Sequence, residues 1–188
     1  MTISLTASKK LQAFLENTFW QCSFAAQCQA AADYLASTPR LTDVFDASTA
    51  TRLKAEIKQV DHLGVHGPTL PAGMIEAFAE DAGFSRRNGL WFESSSAAGV
   101  KIYRADGDHG AIEIMVHPEG VGELNHIAWR VKSPRALVRI GNVFDATLFR
   151  PPAFLGDDRI ACNRARGTMF RYFDGERAGH PIRVEFCS

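Results

Sequence analysis

The chain carries one short pattern twice. Val60-Asp61-His62-Leu63-Gly64-Val65 is answered by Leu124-Asn125-His126-Ile127-Ala128-Trp129, each an apolar residue, Asp or Asn, His, and an apolar residue. The ends of the two halves answer each other as well. Val100-Lys101-Ile102-Tyr103-Arg104-Ala105-Asp106-Gly107 leads to Ile112-Glu113-Ile114, and Phe170-Arg171-Tyr172-Phe173-Asp174-Gly175 leads to Val184-Glu185-Phe186. Both read as an aromatic strand, an Asp-Gly turn and a strand with one Glu between apolar neighbours. An internal repeat limits the fold strongly, because both copies must form the same supersecondary unit.

Between the matched ends lies the same order of elements. Strands are predicted near 58–66, 90–94, 99–105 and 110–117, with a helix near 71–82 opened by Pro71 and closed by Gly83. The second copy has a strand near 123–132, a helix near 134–144 opened by Ser133-Pro134, and strands near 147–150, 167–174 and 181–187. A further strand near 159–163 is only faintly marked. Residues 1–57 differ in texture. Leu11, Phe14, Leu15 and Phe19, then Ala25, Ala26, Ala30, Ala31, Tyr34 and Leu35, recur at helical spacing. Ser37-Thr38-Pro39 breaks the run, and Thr42-Asp43 and Ser48 offer caps for short helices beyond it. The expected organisation is an N-terminal helical extension (1–57), for packing or dimerisation, and a β-rich domain (58–188) of modules at about 58–118 and 122–188.

Side chains alternate faces along a strand. Leu63, Val65, Ile112, Ile114, Ile127, Trp129, Val131, Ile182, Val184 and Phe186 then share the faces turned to helices. His62, His66, Glu113, Met115, His117, His126, Arg130, Arg183 and Glu185 fall on the other faces, with Gly64 and Ala128 leaving room beside them. A lone strand histidine is usually structural; two in matched positions, with carboxylates on the same faces, point to a divalent metal. Two His and one carboxylate leave adjacent positions for substrate and O2, as in non-haem Fe(II) oxygenases. Two His and two Glu suit Ni, Zn, Mn or Fe acting as a Lewis acid.

The segments VDHLGV, LNHIAWRV and FRYFDGERAGHPIRVEF resemble the vicinal oxygen chelate superfamily over about residues 58–187. That superfamily includes glyoxalase I, extradiol dioxygenases, fosfomycin-resistance enzymes and bleomycin-binding proteins. The resemblance implies an α+β fold of two βαβββ modules forming a cupped mixed β-sheet with helices outside. It implies metal ligands His62 and His126 from the first strands, Glu185 from the last strand of module two, and Glu113 from the last strand of module one. A different register in module one would put Met115 at the ligand position, leaving His62, His126 and Glu185. The segment Gly175–Ile182 is also longer than a tight Asp-Gly turn, so Glu185 is open to a one-residue shift. Tyr172 occupies a position that suggests a hydrogen bond to substrate, against the alternative of a core tyrosine. His66, His117 and His180 are acid/base candidates, against the alternative of surface or turn histidines. Arg130 and Arg183 would clamp a substrate carboxylate or pair with acids. Arg164-Ala165-Arg166 reads as a solvated edge.

Three functions fit this frame. The favoured one is an Fe(II) dioxygenase-like oxidoreductase chelating two vicinal oxygens of a small catechol or a 2-oxo or 2-hydroxy acid. A glyoxalase-like isomerase or lyase without O2, needing Glu113 and using Zn, Ni or Mn, is the second. A non-catalytic small-molecule binder is the third. With 21 Lys+Arg against 21 Asp+Glu, the zero net charge gives no reason to expect nucleic acid or an anionic membrane as partner. No apolar run reaches a membrane span, and the N-terminus lacks signal-peptide features, so the expectation is a cytoplasmic protein. The resemblance adds a homodimer as an expectation. The four cysteines show no CxxC and read as reduced thiols, with Cys187 a remote ligand candidate beside Glu185.

Overall fold

The computed structural model describes residues 5–16, 23–67, 72–85, 92–95, 101–116, 126–144, 160–163, 167–177 and 179–188. The chain divides into two compact units, 1–39 with 62–125 and 40–61 with 126–188. The N-terminal helices are therefore shared between the units. Helices α1 (Leu5–Glu16) and α2 (Phe24–Ala36) belong to the first; α3 (Leu41–Val44) and α4 (Ala47–Lys54) belong to the second.

In the first unit, strands run in the order β2-β3-β4-β1, from Phe92–Ser95, Lys101–Gly107, Gly110–Val116 and Ile57–Gly67, with helix α5 at Ala72–Asp81. Strand β1 pairs parallel with β4, and β3 pairs antiparallel with both β2 and β4. Leu63, Val65, Ile112 and Ile114 are fully buried on one face, together with Ile75 and Ala79 of α5. Helix α2 joins this core through an edge contact of Phe24 with Phe78 and a stack of Tyr34 on Phe14 of α1. Burial in α2 pushes the Cys28 thiol up to about 12, so it is an inert core group. The Gln27 side chain also reaches β1, accepting the His66 backbone N–H at 3.2 Å.

The second unit repeats the plan with strands in the order β5-β8-β7-β6: His126–Val131, His180–Cys187, Thr168–Arg177 and Ala161–Asn163. Strand β5 pairs parallel with β8, and β7 pairs antiparallel with β8 and β6. Helix α6 (Pro134–Phe144) packs Phe144 against Phe173 at 4.2 Å and against Phe186, and Phe45, which follows α3, completes that aromatic cluster. The residues leading from α4 into β1 are stitched to this unit. Arg139 forks onto Glu56 at 2.6–2.7 Å, and Lys132 donates to the Ala55 carbonyl at 2.8 Å. No helix among the described residues is long and apolar enough to cross a membrane.

Three sequence expectations change in detail. The cap of α4 is Asp46, whose extended backbone lets its side chain accept from the N–H groups of Ser48 and Thr49, so Ser48 lies inside the helix. Asp106-Gly107 is not the turn of the first hairpin: Gly107 pairs with Gly110, which puts Asp108-His109 at the bend. Asp174-Gly175 is likewise inside a strand, because β7 runs on until Arg177 pairs with His180. Both aspartates alternate into faces where arginines sit, and there they pair instead of turning the chain. The strand expected near 147–150 lies outside the described residues.

Candidate metal centre

The registers of the two units are the same. In the first, His62 is opposite Ala111 and Gly64 is opposite Glu113. In the second, His126 is opposite Arg183 and Ala128 is opposite Glu185. Each histidine thus has a glutamate two residue pairs further along the neighbouring parallel strand, on the same face. His66 pairs with Met115 and Arg130 with Cys187, so these lie two residue pairs beyond the glutamates.

The side chains close on each other. In the first unit, His62 Nε2 is 3.5 Å from Glu113 Oε2; in the second, His126 Nε2 is 3.4 Å from Glu185 Oε2. All four residues are buried, at 2% exposure for each histidine, 8% for Glu113 and 5% for Glu185. Ionised carboxylates are costly to bury unless paired or bound to a cation. A divalent cation with bonds of about 2.1 Å sets two such donors roughly 3.0 Å apart at a right angle and roughly 3.4 Å apart at a tetrahedral angle. Each His–Glu pair therefore already has a spacing that a shared cation would need, and the donor set suits borderline metals.

The surroundings differ between the units. In the first, Arg104 lies opposite Glu113 on β3. Its Nη1 is 3.4 Å from Glu113 Oε1 and 3.3 Å from His62 Nδ1, and its Nε is 3.9 Å from Asp106. The sequence reading did not single out Arg104. The signal was present, since Arg104 alternates with Tyr103 and Ala105 in the hairpin strand facing Glu113. In the second unit the corresponding residue is Tyr172, opposite Glu185 and edge-on to the His126 ring at 5.8 Å.

The other residues singled out from the sequence divide clearly. Arg183 forks onto Asp174 at 2.7 and 2.9 Å and lies over the Tyr172 ring. Arg130 pairs with Asp61 at 2.6–2.7 Å, so the Asp of the repeated Asp/Asn-His motif holds an arginine. His66 is buried on the same face as His62, two residues along. Cys187 is buried and its thiol meets the Trp129 carbonyl at 3.8 Å. His180 opens β8 beside the β7–β8 turn. Five residues of strand put it roughly 17 Å from Glu185, so it is not brought to the His–Glu pair. His117 and Arg164-Ala165-Arg166 lie outside the described residues.

No protein-family model matches the chain, and no curated protein sequence matches it. Solved structures do. Methylmalonyl-CoA epimerase from Mycobacterium tuberculosis is similar over 69% of this chain and 88% of its own, with 14% identity and a TM-score of 0.46. The halotolerant catechol dioxygenase BphC is similar over 69% of this chain and 40% of its own, with 15% identity and a TM-score of 0.46. The Mn(II)-bound glyoxalase from Novosphingobium aromaticivorans is similar over 69% of this chain and 38% of its own, with 17% identity and a TM-score of 0.43.

Proposed function

We propose that this chain is a metal-dependent enzyme whose divalent-metal ligands are His62 and Glu113 in the first unit and His126 and Glu185 in the second. Its substrate is a small molecule offering two neighbouring oxygens, and its chemistry is of the isomerase or lyase type, without O2. One observation carries this reading: Glu113 occupies in the first unit the register position that Glu185 holds in the second, each against its own histidine. A four-ligand set leaves fewer open positions than the three-ligand set of an oxygenase and suits Ni, Zn, Mn or Fe as a Lewis acid.

Such a metal would supply polarisation of a carbonyl or hydroxyl oxygen when bound. The protein's own groups do the rest. Arg104 holds Oε1 of Glu113 so that Oε2 stays aimed at the His62 side, as ligating carboxylates are commonly held. Tyr172, edge-on to His126, is the group we assign to donate a proton or hydrogen bond to substrate.

One observation favours a second reading. If the Arg104–Glu113 pair at 3.4 Å keeps Glu113 for itself, His62, His126 and Glu185 remain as an Fe(II)-type triad and the enzyme is an oxygenase. Metal content of the purified protein, measured with O2 consumption on catechols and 2-oxo acids, separates the two. Stoichiometric Ni, Zn or Mn lost in Glu113→Ala supports the first. Iron retained in Glu113→Ala, with O2 uptake, replaces it by the second. Absence of any tightly held metal would leave neither standing.

A further inference from the structure

We infer that Arg183, forked onto Asp174, is a positioning residue that fixes the ring of Tyr172, so that the phenol meets a substrate held beside the His126–Glu185 pair. The inference rests on the role assigned to Tyr172 above and deepens it. It gives Arg183 a task other than clamping a substrate carboxylate.

The first argument is geometry. His126 on β5, Arg183 on β8 and Asp174 on β7 form one row across the sheet, and Ala128, Glu185 and Tyr172 form the row two pairs further along. Side chains two residues apart on a strand share a face, so Arg183 lies beside Tyr172 on the face of the histidine. Its Nε and Nη2 donate to the two Asp174 carboxylate oxygens at 2.7 and 2.9 Å. That fork takes one edge of the guanidinium and sets its plane. The guanidinium carbon then stands 5.8 Å from the centre of the Tyr172 ring, within the range of cation–π attraction. His126 meets the same ring edge-on at 5.8 Å, and Phe170 does so at 5.4 Å. The tyrosine is thus boxed by three neighbours, one of them a cation whose own orientation is fixed.

The second argument is what packing alone would need. The Arg183 side chain is 8% exposed, and a buried ion pair is often no more stabilising than apolar side chains of the same volume. What the pair adds is orientation, because a forked guanidinium has one plane where an aliphatic chain has several rotamers. The first unit is the contrast. There Arg104 takes the place of Tyr172 and Ala111 that of Arg183, while Asp106 keeps the place of Asp174. The arginine opposite the aspartate is present in the unit whose glutamate faces a tyrosine and replaced by alanine in the other. Its presence follows the tyrosine, and the aspartate common to both units does not account for it.

The test uses the full chain loaded with Mn(II). Binding of catechol, which has no carboxylate, and of lactate, which has one, is read from the relaxation of water protons. Wild type, Tyr172→Phe, Arg183→Met and the double variant are compared, and thermal unfolding checks that each folds. Tyr172→Phe should weaken both ligands by about 2- to 10-fold, the loss of one hydrogen bond. Arg183→Met should weaken both by a factor in that same range, and the factor should disappear in the Tyr172→Phe background, because a residue acting through the phenol then has nothing to act on. Asp174→Asn, at the more exposed end of the fork, should reproduce the Arg183→Met pattern and serves where that variant does not fold. A loss for lactate alone, equal in both backgrounds, overturns the inference and makes Arg183 a carboxylate clamp. An equal loss of both ligands in both backgrounds, or no loss at all, overturns it and makes the Arg183–Asp174 pair structural. Full binding in Tyr172→Phe overturns it together with the role of Tyr172. A wild-type chain that binds no Mn(II), Zn or Ni overturns the metal reading itself, and one that binds metal but neither ligand overturns the chelation of neighbouring oxygens; either takes this inference with it.

Discussion

The two units share one register and differ in what surrounds it. Each sets a histidine on its first strand, a glutamate two pairs further on its last strand, and Gly64 or Ala128 opposite that glutamate. The residue facing the glutamate is Arg104 in the first unit and Tyr172 in the second. Opposite the histidine stand Ala111 and Arg183, and two residues beyond the glutamate stand Met115 and Cys187. A duplicated module that keeps two positions while changing their neighbours has preserved the donors and diversified the walls. The difference teaches where symmetric chemistry ends. The His–Glu pairs are equivalent in register, but an arginine faces the glutamate of the first and a tyrosine faces that of the second.

The largest expected effect tests the equivalence of the donors. His62→Ala and His126→Ala should each lower metal affinity by at least about 100-fold, the upper range for groups that only support a ligand. Glu113→Gln and Glu185→Gln should both weaken it strongly, and by similar factors. Titration with a metal-sensitive dye measures all four. A large loss for Glu185→Gln with none for Glu113→Gln would break the symmetry and return the site to three ligands.

The next comparison concerns the helix each module inserts between its first two strands. Gly141 of α6 sits over the buried Arg171 side chain, which donates to the Leu137 carbonyl at 3.0 Å. A Cβ there would overlap the guanidinium, so Gly141→Ala should cost at least about 1–3 kcal/mol. Gly73 of α5 has nothing within 4 Å of an added Cβ. There Gly73→Ala should stabilise by about 0.5 kcal/mol through the helix propensity of alanine. Urea unfolding of the two variants should give shifts of opposite sign; the same sign for both would mean that Arg171 moves aside freely.

Much of this was open to reading in the chain itself. The repeat, the two helices at Ala72–Asp81 and Pro134–Phe144, and the alternation that separates Leu63 and Ile127 from His62 and His126 all follow from local periodicity. The relation of Glu113 to His62 did not, because two registers were open. Choosing between them depends on the pairing of strands far apart in sequence, and a one-residue slip reverses every side chain. The hairpin bends were missed because Asp-Gly is a strong turn signal, whereas here ion pairs such as Asp174–Arg183 hold the aspartate within the strand. Arg104 was overlooked because a strand arginine is ordinary until its opposite neighbour, here Glu113, is known.

The smallest expected effect contrasts two helix starts. Helix α2, in the first unit, is capped by Ser23, whose hydroxyl accepts from the Ala26 N–H at 3.2 Å. Helix α4, in the second, is capped by Asp46, whose carboxyl is held below its ordinary value by hydrogen bonds from the Thr49 backbone and hydroxyl, and from Ser48. Removing either cap with alanine should cost about 1 kcal/mol at neutral pH. Their pH dependence should differ. A carboxyl whose folded pKa is depressed stabilises fully above its unfolded value of about 3.9, and the contribution fades as pH falls through the folded pKa. The gap between wild type and Asp46→Ala should therefore narrow below about pH 4, while the gap for Ser23→Ala stays constant. Glu56 is also held low, by Arg139, but it is present in both members of the Asp46 comparison and cancels. Asp46→Asn, which keeps the cap without the charge, should hold its stability across the same window. A gap for Asp46→Ala that stays flat down to pH 2 would show that the cap works through its geometry alone.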